Sequence, residues 1–198
     1  AVSGFHNILL IGPPGSGKSM LAKRAPTIIP KLSFQESIEV TKIYSIYKKT
    51  IGSLITDRPF RNPHHSISVA GMIGGGSNIK PGEISLADRG VLFLDEFSEF
   101  STKIIESLRQ PLEDKEITIS RNGSSFNLPC FFMLILAMNP CYCGFDKDKK
   151  EKCKCSTREI ERYWRKISGP MLDRIDIQIS MPRERISRDK EEESESSG

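Results

Sequence analysis

Three short apolar runs stand out along the chain: Ile8-Leu9-Leu10-Ile11, ending in Gly12-Pro13-Pro14, and Val91-Leu92-Phe93-Leu94 and Phe131-Phe132-Met133-Leu134-Ile135-Leu136-Ala137-Met138, each ending in polar residues. Continuous rather than alternating apolarity of this length predicts strands buried on both faces, as in a parallel sheet covered by helices. Between the runs the pattern changes. Met20-Leu21-Ala22-Lys23-Arg24-Ala25 reads as a helix that cannot pass Pro30. Ser33 followed by Glu36 reads as a capping box opening a second helix to about Lys49, with Ile38, Ile43, Tyr44 and Tyr47 along its buried face. Residues 101–113 predict a third helix. Ile117-Thr118-Ile119-Ser120 and Ser125-Phe126-Asn127-Leu128 flank Asn122-Gly123, a strong hairpin signal, with Arg121 at the tip. Residues 59–90 are dense in glycine and proline, which predicts loops and tight hairpins rather than long regular elements.

Composition narrows the class without naming a function. A chain of 198 residues, 37% hydrophobic and 27% charged, suits one globular α/β domain with a sizeable core. Residues 1–7 are too short to form a domain, and the chain reads as cut from a longer protein. No apolar run reaches membrane-spanning length, so the expectation is a soluble, cytoplasmic protein without a membrane partner. The net charge of +4 permits contact with nucleic acid but does not demand it. Residues 184–198 form a charged, serine-rich tail that reads as disordered.

The chemistry begins where the first run ends. Gly12-Pro13-Pro14-Gly15-Ser16-Gly17-Lys18-Ser19 is G-x-x-x-x-G-K-[ST] with a strand before it and a helix, from Met20, after it. Glycines let backbone N–H groups turn inward around phosphate oxygens, and the following helix contributes the positive end of its dipole. Lys18 then reaches the β- and γ-phosphates of ATP, and Ser19 can ligate Mg2+. An ordinary Gly/Pro turn would need neither side chain. The second run delivers Asp95 and Glu96 to the strand edge where open α/β sheets bind ligands. Asp95 is expected in the magnesium shell, and Glu96 is expected to orient the attacking water or take its proton. The third run ends in Asn139-Pro140, whose uncharged amide can orient water without adding negative charge. The neighbouring His64 and His65 have no carboxylate or cysteine at ligand spacing, so they read as local hydrogen-bonding residues rather than metal ligands. His6 reads as a surface or packing residue.

Cys141-x-Cys143 and Cys153-x-Cys155 straddle a lysine-rich loop, and Cys130 stands alone within a strand pattern. Four thiolates satisfy tetrahedral Zn2+; reduced free thiols are the alternative, because C-x-C is less diagnostic than C-x-x-C. Cys130 reads as a buried core residue.

Taken with Leu94-Asp95-Glu96, Ala137-Met138-Asn139-Pro140 and Ser168-Gly169-Pro170-Met171-Leu172-Asp173-Arg174-Ile175-Asp176, the phosphate loop resembles the AAA+ ATPases of the magnesium-chelatase clade. Phe60-Arg61-Asn62-Pro63-His64-His65, Lys80-Pro81-Gly82-Glu83-Ile84-Ser85-Leu86-Ala87, Leu108-Arg109-Gln110-Pro111-Leu112-Glu113 and Asn139-Pro140-Cys141-Tyr142-Cys143-Gly144 narrow the resemblance to the competence-associated ComM/YifB family, over residues 4–182. That resemblance implies a three-layer α/β/α AAA+ core over residues 1–183, a homo-oligomeric ring of six subunits, and ATP-driven branch migration of DNA in natural transformation. It makes Lys18 and Ser19 the P-loop pair, Asp95 and Glu96 the Walker B pair, Asn139 sensor 1, and Arg174 the arginine finger lent to a neighbouring subunit. It also assigns DNA contact to the pore-facing insert and hairpin, through Arg121 and, more weakly, Lys80. The family's Lon-protease-like domain is expected to precede Ala1, and its helical lid to lie outside the chain. Asp88-Arg89-Gly90 departs from the family, which has a histidine followed by a small or polar residue there. Two further functions compete: the ATPase subunit of a metal chelatase, and a nucleotide-gated assembly module with little turnover. Glu96 speaks against the last, because a pure switch needs no base.

Overall fold

A computed structural model of the chain describes residues 4–48, 52–75, 80–121, 124–146, 148, 150–167 and 169–183, the side chains of Ser120, Arg121 and Ser124 excepted. β1 (Ile8–Ile11) passes through residues 12–17 into α1 (Lys18–Ile28) and α2 (Phe34–Tyr47). Short pieces follow: β2 (Phe60–Arg61), α3 (Val69–Ile73), β3 (Gly74–Gly75), β4 (Lys80–Pro81) and α4 (Glu83–Leu86). After β5 (Val91–Leu94) come a 3-10 turn (Phe97–Glu99), α5 (Thr102–Ser107), α6 (Arg109–Asp114) and the hairpin strands β6 (Glu116–Arg121) and β7 (Ser124–Pro129). The chain continues through β8 (Met133–Met138), α7 (Thr157–Arg165), α8 (Gly169–Leu172) and β9 (Ile177–Ser180).

Five strands form one parallel sheet in the order β2-β5-β8-β1-β9. The apolar runs alternate sides within it. Leu9, Leu92, Leu94, Leu134, Leu136 and Met138 face a core completed by α5, α6 and α7, while Ile8, Leu10, Val91, Phe93, Ile135 and Ala137 face α1. Both faces are therefore covered, which is the three-layer α/β/α arrangement expected from unbroken apolar strands. All four side chains of β5 are fully buried, each stabilising the fold by roughly 2 kcal/mol relative to exposure. That burial fixes where Asp95 and Glu96 emerge.

The capping box of α2 forms as expected, with Ser33 Oγ accepting from Glu36 N and Glu36 Oε2 from Ser33 N at 2.8 Å. Its buried face is Ser37, Val40 and Ile43, with Tyr44 donating to the Leu86 carbonyl at 3.0 Å. Tyr47, expected inside, is exposed. The expected helix over 101–113 is two helices divided at Leu108. Pro111 explains the break, since it has no N–H for the Ser107 carbonyl and its ring crowds that carbonyl.

β6 and β7 pair as an antiparallel hairpin with Arg121 opposite Ser124. The tip, Asn122-Gly123, lies outside the described residues, as does the expected tail beyond Arg183. β3 and β4 form a second small ladder, Gly74 opposite Pro81. The two insertions touch: a Cβ built on Gly74 would sit 2.6 Å from Ile119 Cδ1 of β6.

Candidate nucleotide site

The loop of residues 12–17 leaves the carboxyl end of β1, a strand flanked in the sheet by β8 and β9, neither adjacent to it in sequence. A crevice opens at such switch points. Gly15 and Gly17 hold positive φ, 77° and 85°, conformations that side chains with a Cβ resist. The first hydrogen bond of α1 runs from Leu21 N to Gly17 O at 2.9 Å. The amides of Lys18, Ser19 and Met20 lie ahead of it, in the first turn, where a helix offers its N–H groups no partner of its own; the Met20 side chain itself is 69% exposed.

Lys18 is buried, and its ammonium donates to the carbonyls of Gly12 (2.7 Å) and Pro13 (2.9 Å) and to Asn139 Oδ1 (3.3 Å). Burial pulls its pKa below the ordinary lysine value, and the nearby Asp95 carboxylate offsets part of that pull. Ser19 Oγ donates to Asp95 Oδ2 at 2.6 Å. The P-loop, β5 and β8 thus meet in a cleft of about 230 Å³ lined by Lys18, Asp95, Glu96, Asn139, Tyr142 and Tyr163. Ser19 Oγ and the Asp95 carboxylate are hard oxygen donors of the kind Mg2+ takes.

Glu96 adopts a left-handed backbone, φ 50°, although it is not glycine. Such strain persists only where its surroundings impose it, and it collects at functional sites. The side chain turns toward His65, whose Nδ1 lies 3.2 Å from Glu96 Oε2. His65 packs edge-on against Phe100, and His64 is held by Ser66 Oγ at 2.8 Å. His64 is a local hydrogen-bonding residue, as expected, whereas His65 meets a carboxylate that was not legible from sequence.

Asn139 is fastened from behind by α7, a helix the apolar pattern did not announce. Tyr163 Oη lies 2.9 Å from both Ser98 Oγ and the Asn139 carbonyl, and Trp164 Nε1 donates to the Pro140 carbonyl at 3.1 Å. Burial pushes the Tyr163 phenol up to about 12. The available signal was the Ser156-x-x-Glu159 capping box, which forms in the structure.

Arg174 stands apart from this cleft. Its backbone carbonyl accepts from Asn7 Nδ2 at 2.9 Å, at the amino-terminal edge of the sheet, and its guanidinium contacts Glu113 and the Pro170 carbonyl. The four residues of β1 separate that edge from the P-loop, roughly 13 Å of strand. His6 is at the same far edge, beside Asp176 at 3.7 Å. Lys80 is exposed on β4, and only the backbone of Arg121 is described.

The sulfurs of Cys141, Cys143, Cys153 and Cys155 lie within 4.8 Å of one another, with three of the pairs at 3.4–3.7 Å. Tetrahedral zinc with Zn–S near 2.3 Å requires S···S separations of about 3.8 Å, so the donor set suits that ion. The Lys154 backbone N–H draws the Cys143 thiol down to about 6. Cys130 is buried apart from the cluster, and burial pushes its thiol up to about 12.

A phosphate loop at the switch point of a parallel sheet, followed by acidic and amide residues at neighbouring strand ends, is the arrangement of an AAA+ ATPase, a class that uses ATP and Mg2+. The chain belongs to the family described as "Magnesium chelatase, subunit ChlI", whose profile matches residues 1–189. Among curated proteins it is 48% identical over 186 residues to an uncharacterized protein of Mycobacterium tuberculosis, covering 92% of this chain and 37% of that one. It is 45% identical over 183 residues to Competence protein ComM of Haemophilus influenzae (92% and 36%), and 43% identical over 181 residues to YifB of Escherichia coli (91% and 35%). More distantly, DNA replication licensing factor MCM2 of Arabidopsis thaliana is 25% identical over 174 residues, 88% of this chain and 16% of that one. The chain spans about a third of the length of its bacterial relatives. Among the described residues no helix is long and apolar enough to cross a membrane.

Proposed function

We propose that the chain is the ATP-hydrolysing motor of a ring, most simply a hexamer, that remodels branched DNA during natural transformation. The observation that carries the reading is the division of catalytic groups between two edges of one sheet: Lys18, Ser19, Asp95, Glu96 and Asn139 converge at one edge, and Arg174 sits at the other. Residues 12–20 cradle the triphosphate through backbone amides and Lys18. Ser19 and Asp95 hold Mg2+, which when bound neutralises charge on the β- and γ-phosphates. Glu96 takes the proton of the water that attacks the γ-phosphorus as the bond to ADP breaks, and Asn139 orients that water. Arg174, too far to serve its own loop, offsets transition-state charge in the next subunit's site.

The DNA reading draws support from the contact between the β3–β4 ladder and the β6–β7 hairpin, which gathers Lys80 and Arg121 onto neighbouring insertions, and from the names of the ComM and MCM2 relatives. Those basic residues grip phosphates without reading sequence. The four-cysteine cluster is a structural zinc site, favoured by its sulfur spacing. A chelatase ATPase subunit is the second reading, favoured by the family's description alone.

Subunit mixing tests the shared site. Lys18→Ala and Arg174→Ala proteins should each be inactive alone. Mixed, they form interfaces that pair an intact P-loop with an intact finger, and ATPase activity returns. Mixtures as inactive as the parents would remove Arg174 from catalysis in trans.

A further inference from the structure

The cysteine cluster does not hang free of the nucleotide site; it is wedged against it. Gly144, next to Cys143, has φ 85°, and its N–H donates to the Cys141 carbonyl at 3.0 Å. A Cβ built on Gly144 would lie 2.8 Å from Cδ of Pro14 in the phosphate loop and 3.8 Å from Cγ of Asn139. The knuckle backbone is therefore in van der Waals contact with the P-loop. Cys141 is two residues beyond Asn139, whose amide holds Lys18 at 3.3 Å. A third link closes the loop: Arg183 Nη2 donates to the Pro14 carbonyl at 2.9 Å while its guanidinium lies 5.9 Å over the Phe145 ring. Pro14 is thus held from one side by Gly144, beside the first two thiols, and from the other by Arg183, which stacks on Phe145 two residues past Cys143.

We propose that metal occupancy of Cys141, Cys143, Cys153 and Cys155 sets the shape of the phosphate loop, so that zinc binding and nucleotide binding strengthen one another. The inference rests on the zinc reading above and goes beyond it, since a merely structural metal would stabilise the chain without altering nucleotide affinity. Four bonds to one ion fix the Cys141–Cys143 turn, and with it the surface on which Pro14 packs. Without the ion the turn is free to relax, and the P-loop must be ordered by the nucleotide alone. A ligand that has to order its own site binds more weakly by the cost of that ordering. The coupling is reciprocal, because two ligands that favour one conformation raise each other's affinity by the same factor.

The test uses the intact protein with a non-hydrolysable ATP analogue and Mg2+ as one ligand and Zn2+ as the other. Metal analysis of protein purified without chelator should find about one zinc per chain. Stripping the metal should weaken analogue binding by about tenfold, within the usual range of coupling between sites, and adding Zn2+ back should restore it. On the unstripped protein, saturating analogue should slow zinc transfer to a competing chelator. This second measurement stands even if the stripped protein unfolds. Gly144→Ala, which strains the left-handed turn and crowds Pro14, should keep its zinc but lose analogue affinity. Absence of zinc from the purified protein would overturn the metal reading and the coupling together. Zinc present, with analogue affinity unchanged both on stripping and in Gly144→Ala and zinc release indifferent to analogue, would overturn the coupling while leaving a structural metal site in place.

Discussion

The two edges of the sheet are built on opposite principles. At the carboxyl edge, residues 12–18, Asp95, Glu96 and Asn139 bring together a buried ammonium, two carboxylates and three left-handed backbone positions, Gly15, Gly17 and Glu96. At the amino edge, polar side chains staple the strand starts to one another. Asn7 alone accepts from Leu134 N (3.1 Å) and donates to the Arg174 carbonyl and to Asp176 Oδ2, binding β1 to β8 and to the entry of β9. Asp88 Oδ1 accepts from Phe131 N at 2.8 Å, tying the entry of β5 to that of β8. The amino edge is joined by hydrogen bonds among its own residues, with Asp88 Oδ2 left buried without a hydrogen-bond partner among the described residues and Phe5 and Arg89 also at positive φ (52° and 58°); the carboxyl edge instead presents an ammonium and carboxylates to an open cleft.

The largest expected effect lies on the carboxyl edge. Lys18→Ala should abolish nucleotide binding, whereas Glu96→Gln should preserve it and slow turnover by about 10²–10⁴-fold, the usual contribution of a positioned base. Titration of both variants with ATP checks the division, and equal loss of binding would merge the two roles. On the stapled edge, Asn7→Ala leaves Leu134 N and the Arg174 carbonyl without their partner. It should destabilise the fold by roughly 3 kcal/mol, read as a lower denaturant midpoint. A midpoint shift as small as that of a surface substitution would show that the staple carries little.

A finer comparison uses pH. Burial raises the Asp88 carboxyl to about 6, above its unfolded value. A native state that holds its proton more tightly is favoured at low pH, so this group's contribution falls as pH rises from about 4 to about 6 and stays flat above. Asp88→Asn should remove that slope and raise stability at neutral pH by on the order of 2–3 kcal/mol. Unfolding curves at pH 4, 6 and 7.5 measure it, and an unchanged slope would mean that another group titrates there. Smallest is His65→Ala, which frees Glu96 Oε2. Turnover should change by about tenfold or less with nucleotide affinity untouched, whereas altered affinity would place His65 among the binding residues.

The carboxyl edge was legible in sequence and the amino edge was not, for a physical reason. Phosphate binding needs glycines, a lysine and a hydroxyl at fixed spacing along one loop, so Lys18 and Ser19 stand in a local pattern. Asp95, Glu96 and Asn139 follow from where buried strands end. Asn7 and Asp88 do their work across sequence separations of 127 and 43 residues, and nothing near either one announces a partner. The same holds for His65, which meets Glu96 only through the fold. Of the elements, β9 carries too few apolar residues to register as a run, and the break at Leu108 needed Pro111 to be weighed against an otherwise good helical pattern. The role expected of Arg174 came from resemblance rather than from local chemistry; the structure places the residue at the amino edge, away from its own P-loop.

The central claim is that hydrolysis at the carboxyl edge drives work on DNA. The most direct measurement is the steady-state ATPase rate of the intact protein with and without branched DNA, at several salt concentrations. The account predicts that branched DNA stimulates the rate, that stimulation weakens as salt rises, and that Arg121→Ala reduces stimulation while leaving the basal rate unchanged. A basal rate indifferent to branched DNA at every salt concentration would contradict it.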